Sequence, residues 1–348
     1  MSTLPDHTVQ LLVDGTAYSG WTTIDIERGI DQMTGTFALR LAARERTGAE
    51  GWPIREGAQC RVMLAGVPLI TGYIDSLTRF VGPEERGIDV RGRDRTADLV
   101  DCSALNTPGS WRGRKLEQIA AELVQPFGIA IASPTNTGAP FTRFALQQGE
   151  TVFAAIERMC RYRGLVAWSA GDGMLMIGNP DCGQSIGRLA EGENVIFASR
   201  TSTVSDRFSD YIVKGQAAGS DERSGAAVAQ VQGEAFDPAI TRYRPMLIVG
   251  EEQSDRASLK KRAEWEAAVR SGRSQPVQIT VPGWLTADGR PFAHGMRAEC
   301  DVPSAGISGS LLIERLSFSR DAQGGTVTNF DLVPPEAWTQ LAEPEPAS

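Results

Sequence analysis

Apolar and polar residues alternate along residues 8–93, which is the pattern of β-strands that bury one face. Val9, Leu11 and Val13 open the pattern, and Asp14-Gly15 follows with the residue types of a two-residue hairpin turn. The alternation continues through residues 21–26, 37–41, 60–64, 69–80 and 88–90. About six strands joined by short turns predict a small barrel or sandwich. A barrel would leave no open sheet edge.

The spacing of apolar residues changes to a helical period after residue 96. Leu116, Ile119, Ala120, Leu123 and Val124 share one helical face, and Pro126 ends that helix. A second helix spans Val152 to Cys160 and ends before Gly164, a typical left-handed cap. Residues 165–168 and 174–177 then predict a hairpin around a Gly-Asp-Gly turn. This part predicts a compact α+β module with two helices over a hairpin.

The pattern is weaker from residue 183 onward. Short strands are predicted at 195–198, 211–213 and 246–249, and the Ala-, Gly-, Ser- and Gln-rich stretch from Gly215 to Phe236 predicts a long mobile loop. A helix is predicted over 254–271, capped by Ser254 or Asp255. Strands follow at 277–281, 296–302, 311–318 and 327–332.

The last strands repeat features of the first ones. Glu56-Gly57 and Cys60-Arg61-Val62 resemble His294-Gly295 and Cys300-Asp301-Val302. In both segments a long apolar strand then leads through a polar loop to a closing strand. Internal repetition of this kind predicts two similar units in one chain, although short amphipathic hairpins also look alike.

The charge, the hydropathy and the cysteine content of the chain argue against several classes of protein. The 348 residues carry 35 Lys+Arg against 43 Asp+Glu, a net charge of −8, which is a poor match to a dedicated nucleic-acid binder. No apolar run approaches the ~20 residues of a membrane span. Asp6 and His7 stand where a signal peptide needs a basic, then apolar, start, so we expect folding in a cytoplasm. Five scattered cysteines without a C-x-x-C pair predict buried free thiols.

Candidate chemistry is sparse. The only histidines are His7, near the N-terminus, and His294, beside a turn glycine, and both are expected to be surface loop residues. Gly306-Ile307-Ser308-Gly309-Ser310 does not fit a nucleophile elbow and predicts a turn. We therefore predict no catalytic, cofactor-binding or metal-binding residues and no cofactor.

Three basic clusters have structural explanations. Arg91, Arg93 and Arg95 alternate on one strand face among aspartates, which favours solvated or intersubunit ion pairs. Arg112, Arg114 and Lys115 precede the first helix. Arg158, Arg161 and Arg163 end the second, where positive charge complements the helix dipole.

The segment 149–165, with the Gly171-Asp172-Gly173 hairpin and Leu175, is similar to a segment of phage tail baseplate hub proteins. Val13-Asp14-Gly15, Trp21 and residues 35–39 resemble the start of the Mu-type hub proteins, and residues 306–313 and 325–328 fit their end. The resemblance spans nearly the whole chain, but nothing in it matches Gly215 to Phe236.

The resemblance implies an α+β, mainly β fold with two tail-tube-like β-barrels, a small α+β domain and a helix-containing segment. The expected order is a first barrel at 1–95, the α+β domain at 96–182, strands, loop and helix at 183–275, strands completing the second barrel at 276–340, and a disordered tail at 341–348.

The resemblance also implies a structural function in a virion tail baseplate assembled in the host cytoplasm. Three chains would form a ring of six similar units, adapting a sixfold tail tube to a threefold central spike and leaving a channel for DNA. Implied partners are two further copies, the central spike protein, the tail tube or tube-initiator protein, wedge proteins and the tape-measure protein, without sequence-specific nucleic acid or a membrane span. A trimer would carry three times −8, about −24, so an acidic channel would repel DNA.

Three alternatives stay open at this point. The chain could be a hub of a type VI secretion or pyocin-like particle, which shares the fold. A tail-associated wall hydrolase would need paired carboxylates or a metal, and neither pattern is present. A carbohydrate-binding β-protein would use exposed aromatic platforms, and the candidates are Trp52, Trp111, Trp168 and Trp284.

Overall fold

The computed structural model describes residues 8–43, 53–83, 85–216, 231–253 and 256–342. The strands of the first part are β1 (Val9–Val13), β2 (Thr16–Tyr18), β3 (Thr23–Gly29), β4 (Thr36–Ala43), β5 (Gln59–Leu64), β6 (Val67–Val81) and β7 (Arg86–Asp94). They confirm the predicted succession of strands, with seven strands where about six were expected. Asp14 and Gly15 both have positive φ, as a tight hairpin between β1 and β2 requires.

The second part contains the predicted helices and hairpin. Its elements are α1 (Ala97–Asp101), β8 (Ser110–Trp111), α2 (Leu116–Val124), β9 (Ile131–Ala132), β10 (Phe144–Ala145), α3 (Val152–Arg163), β11 (Val166–Ser169) and β12 (Leu175–Gly178). Thr151 caps α3 by accepting from the Ala154 N–H, and Gly164 ends it at φ 63°. The short α1 and the two-residue strands were not predicted, because such brief elements show no period.

The remaining strands and helix complete the chain. They are β13 (Ser185–Ala190), β14 (Phe197–Arg200), β15 (Asp210–Gln216), β16 (Val231–Phe236), β17 (Pro245–Gln253), α4 (Arg256–Arg273), β18 (Val277–Pro282), β19 (Arg297–Val302), β20 (Ile307–Asp321) and β21 (Gly325–Val333). The predicted turn at Gly306 to Ser310 is correct only at Gly306, since Ile307 to Ser310 are already part of β20.

Two ladders with the same strand order form one large sheet. The first runs β3-β4-β7-β6-β5-β1, and the second runs β14-β18-β21-β20-β19-β13. We call them unit 1 and unit 2. Their long strands β6 and β20 both have 15 residues, and their closing strands β7 and β21 both have 9. The mainly β, α+β fold class and the internal repeat are therefore confirmed.

Hydrogen bonds fix the correspondence between the units residue by residue. The Gly57 N–H donates to Ile74 O over 2.7 Å, and the Gly295 N–H donates to Ile313 O over 2.9 Å. Each long strand shifts register just after that isoleucine. Counted from these bonds, Cys60 corresponds to Ala298, since Cys60 lies opposite Gly72 and Ala298 opposite Leu311. The sequence alignment of Cys60 with Cys300 was thus two residues out of step.

A smaller α/β layer interrupts unit 2. Strands β16, β15 and β17 form a three-stranded sheet against which α4 packs, with Tyr211, Val213, Leu259 and Ala263 in the core between them. The predicted mobile loop is wrong at its end, because residues 231–236 are the strand β16. Its centre, 217–230, lies outside the described residues, as do the predicted capping residues Ser254 and Asp255 and the tail residues 343–348.

Separate cores support these parts. One continuous cluster of buried residues runs through both units, and a second fills the α+β module between α2, α3 and the hairpin β11–β12. Because the two units share one hydrophobic core, they form a single structural unit and are not separate domains joined by a linker.

Candidate assembly surface

The two units join through a pair of strands from opposite ends of the chain. Strand β3 of unit 1 pairs antiparallel with the C-terminal half of β20, from Arg315 opposite Gly29 to Arg320 opposite Ile24. The Ile30 N–H extends this junction by donating to Glu314 O over 2.8 Å. The Ile30 side chain is 2% exposed and packs with Leu312, Val333 and Ala337. The edge strand β3 of unit 1 is thus paired with unit 2 of the same chain.

The corresponding half of β6 is uncovered. In β20 the residues at the junction are buried or partly buried, whereas Ser76, Thr78, Arg79 and Val81 of β6 are exposed. Val81 is 78% exposed. Among the described residues, no strand pairs with this half of β6 on the side away from β7.

A second uncovered edge lies at the far end of the sheet. Strand β14 occupies in unit 2 the place of β3 in unit 1, and within the described ranges it pairs with β18 alone. Apolar residues on and beside it are exposed, with Ile196 at 59%, Phe197 at 56% and Val204 at 46%. An exposed strand edge with apolar side chains is a ready template for another strand.

The structure describes one of the two histidines. His7 lies outside the described residues. His294 is in a loop, as expected, but it is partly buried instead of lying on the surface, and burial together with nearby Arg28 lowers the pKa of its imidazole to about 3. This imidazole is therefore neutral at physiological pH.

Most residues of the three basic clusters have hydrogen-bond or ion-pair partners within the chain. Arg93 pairs with Asp75 at 2.7 Å and with Asp101 at 2.8 Å. Arg95 donates to Gly128 O, and Arg114 lies 3.7 Å from Glu122. Lys115 lies 4.0 Å from Glu117 and Arg161 3.9 Å from Glu157.

Two arginines of α3 pack on aromatic rings. Arg158 pairs with Glu150 at 2.8 Å and covers the Phe144 ring, while Arg163 covers the Phe141 ring and donates to Ala139 O. These contacts favour a structural role over a phosphate-binding one.

The tryptophans do not form a sugar-binding platform in the described structure. Trp111 is 8% exposed and its indole N–H donates to Glu122, and Trp284 is fully buried with its N–H on Val327 O. Trp168 is partly buried in the hairpin, and Trp52 lies outside the described residues. The free cysteines Cys60, Cys160 and Cys300 are buried as predicted, but Cys102 and Cys182 are exposed.

The described residues contain neither a candidate metal site nor a membrane-spanning helix. No group of three or more His, Cys, Asp or Glu side chains there could hold a metal ion. None of the helices there is both long and apolar enough to cross a membrane.

Comparisons with known proteins agree on one family. Residues 8–94 match the family described as "Mu phage baseplate assembly protein GpP-like, N-terminal", residues 96–179 match "Baseplate hub protein gp44-like, second domain", and residues 255–341 match "Mu phage baseplate assembly protein GpP, fourth domain". The chain is 32% identical over 340 residues to the baseplate hub protein gp44 of Escherichia phage Mu, covering 95% of this chain and 89% of that protein.

Solved structures show the same fold. The 43 kDa tail protein of prophage MuSo2 from Shewanella oneidensis superposes with a TM-score of 0.86 at 31% identity, covering 96% of this chain and all of that one. A tail protein from Neisseria meningitidis superposes with a TM-score of 0.82 at 24% identity, covering 96% and 98% of the two chains. Sequence, domain order and fold together show that the chain belongs to the Mu-type phage baseplate hub protein family.

Proposed function

We propose that this baseplate hub protein works as a homotrimeric ring in a contractile tail. One observation carries the proposal: each chain contains two units with the same order of six strands, joined edge to edge. Three chains then supply six similar units around a closed cycle, and closed symmetry is the usual outcome for soluble homo-oligomers. Such a ring matches a sixfold tail tube on one side and a threefold spike on the other.

The proposed partners follow from that position. The ring contacts the central spike protein below, the tail tube or tube-initiator protein above and wedge proteins around it, and its channel lets DNA and the tape-measure protein pass. The protein is located in the tail baseplate of the virion and is assembled in the host cytoplasm. The relatives with sequence similarity are phage tail and baseplate proteins, which supports a structural role without catalysis.

The type VI secretion hub is the alternative with a specific observation in its favour. A component of the E. coli type VI secretion system superposes on 97% of this chain with a TM-score of 0.59 at 10% identity, which shows the fold alone. The greater identity to phage tail proteins favours the phage hub.

Light scattering after size-exclusion chromatography tests the ring. The chain has a mass of 37.5 kDa, so a trimer is expected near three times that value, and negative-stain images should show a ring with a central hole. The purified protein should also release no fragments from peptidoglycan. A strict monomer at every concentration, even with its spike partner, would overturn the proposal.

A further inference from the structure

The two uncovered edges fit each other. We propose that β14 of one copy pairs antiparallel with the C-terminal half of β6 of the next copy, repeating between chains the junction that β3 and β20 form within one chain. This inference rests on the proposed ring and identifies the strands and the register that close it.

The first argument is the equivalence of the strands on each side. Thr22 N–H donates to Arg40 O over 2.8 Å beside β3, and Ile196 N–H donates to Thr280 O over 2.8 Å beside β14. Asp25 faces Ala38 in unit 1, and Ser199 faces Gln278 in unit 2. Strand β14 therefore presents the same backbone edge as β3, two strands away from the closing strand of its unit.

The receiving strand is equivalent as well. Leu77 lies opposite Val90, as Leu316 lies opposite Phe330. The half of β6 after its register shift thus corresponds to the half of β20 that β3 covers. This half-strand is paired with β3 in unit 2, and no described strand pairs with it in unit 1. Each chain therefore has one unpaired half-strand, in β6, and one unpaired strand edge, in β14.

A cavity beside β6 supplies an independent observation. It has a volume of about 300 Å³ and is lined by Tyr73, Asp75, Arg93 and Ala97, among others. Tyr73 and Arg93 lie opposite each other, as do Leu312 and Val333. Leu312, Val333 and Ala337 are the residues that enclose Ile30 at the internal junction. The cavity is therefore the unit 1 counterpart of the Ile30 pocket.

Val204 is the side chain that would fill this cavity. It follows Arg200 by four residues, as Ile30 follows Ile26, and it is 46% exposed where Ile30 is 2% exposed. At the internal junction the Ile30 N–H reaches Glu314 O. The Val204 N–H would reach Asp75 O of the next copy, and its side chain would enter the cavity.

The internal register transfers directly to the contact between copies. Because Ser317 pairs with Glu27 and Ser319 with Asp25, Thr78 is expected opposite Thr201 and Phe80 opposite Ser199. Arg79 falls opposite Arg200. Two guanidinium groups repel each other and this pair opposes the contact. Each of them is held by its own chain, Arg79 on Ile54 O and Arg200 on Gly306 O.

Cysteine cross-linking of the full-length chain tests the pairing. The exposed thiols are first removed with Cys102→Ser and Cys182→Ser. Thr78→Cys with Thr201→Cys is then compared with a mismatched control, Thr78→Cys with Ser205→Cys, where Ser205 lies four residues further along the chain in the turn that follows β14. Within one chain β6 and β14 are seven strands apart in the sheet, so a bond between them joins two copies.

Oxidation, or a short bis-maleimide, should convert the matched variant to covalent dimers and trimers on a non-reducing gel and leave the mismatched variant largely monomeric. A trimer by light scattering without selective cross-linking would overturn this pairing and leave the ring intact. A monomer under all conditions would instead overturn the ring itself.

A second comparison tests the cavity. Val204→Asp places a carboxylate in a cavity lined by Asp75, Asp94 and Asp98, whose cationic residue, Arg93, already pairs with Asp75 and Asp101. We expect it to raise the dissociation constant of the trimer at least tenfold. Val249→Asp, in β17 of the small sheet, is the matched control and should leave the trimer unchanged. Equal effects of the two variants would contradict the proposed contact, and circular dichroism of both monomers reports whether either has lost its fold.

Discussion

His294 is a residue whose position makes stability depend on pH. Burial and the neighbouring Arg28 lower the pKa of its imidazole to about 3, well under the ordinary value of about 6.5. The unfolded chain therefore takes up the proton first as the pH falls. The stabilisation is complete above about pH 6.5 and is lost progressively toward pH 3.

We expect His294→Gln to remove this dependence. Relative to the variant, the natural protein should lose about 2 kcal/mol of its free energy of unfolding between pH 7 and pH 5, since each pH unit corresponds to about 1.4 kcal/mol. Urea unfolding of both proteins at the two pH values measures the difference. The only other histidine, His7, is common to both proteins. Parallel pH profiles would show that His294 titrates normally.

At the scale of elements, a buried carboxylate joins unit 1 to the α+β module. Asp94, at the end of β7, is fully buried and accepts from the Gly35 N–H at 2.9 Å, the Thr71 N–H at 3.3 Å and the Ser169 hydroxyl. Arg28 donates to Ser169 O over 3.0 Å. Burial raises the pKa of Asp94, and the nearby Arg28 opposes that shift.

We expect Asp94→Ala to cost about 3–5 kcal/mol of unfolding free energy, because it leaves the buried donors of Gly35, Thr71 and Ser169 without their acceptor and removes the carboxyl group whose charge favours the buried Arg28 guanidinium. Asp75→Ala is the control. Asp75 forms an ion pair with Arg93 at 2.7 Å, but the Asp75 side chain is 41% exposed. Removing this carboxylate should therefore cost less than about 1 kcal/mol of unfolding free energy. If chemical denaturation shows similar losses of unfolding free energy for the two variants, Asp94 does not stabilise the contact between unit 1 and the α+β module.

Elements with a strong local signal could be predicted from the sequence. Helix α3 has a full apolar stripe, a threonine cap and a terminal glycine, and all three features are local. Strand β16 has no such signal. Gly233 lies where α4 passes so closely that a Cβ atom would stand 2.1 Å from Lys260 N. The glycine that suggested a loop is what allows this close packing.

The assembly surface depends on strand order, which local patterns do not encode. Nothing in the alternation of β3 indicates that its partner is β20, near the other end of the chain, or that β14 has the same place in unit 2. The internal repeat could be detected, and the alignment of Gly57 with Gly295 was correct. The cysteines, however, suggested a false alignment of the strands that follow. The burial of Trp284 likewise results from packing between distant segments.

At the scale of the whole molecule, the charge of the polar face of the large sheet bears on the proposed channel for DNA. Arg91, Ala38, Asp25 and Ser319 lie opposite one another across β7, β4, β3 and β20. Arginines and acids thus alternate with small residues, and no basic stripe forms in this row. With a net charge of −8 per chain, we expect the protein not to retain DNA at physiological salt, since retention needs a net excess of cations.

Fluorescence anisotropy with a labelled 30-base-pair duplex, used as a probe, measures this property. The natural protein should show no binding at about 10 µM, near the middle of the usual nonspecific range. Ser317→Arg with Ser319→Arg adds two cations per chain to the polar face and should create binding that weakens as salt rises. Gln125→Arg with Gln232→Arg adds the same charge at exposed positions outside both units and should bind less. Equal binding by the two variants would show that this face does not line the proposed channel, because the wall of such a channel would surround the duplex and bring cations from all three chains onto it at once.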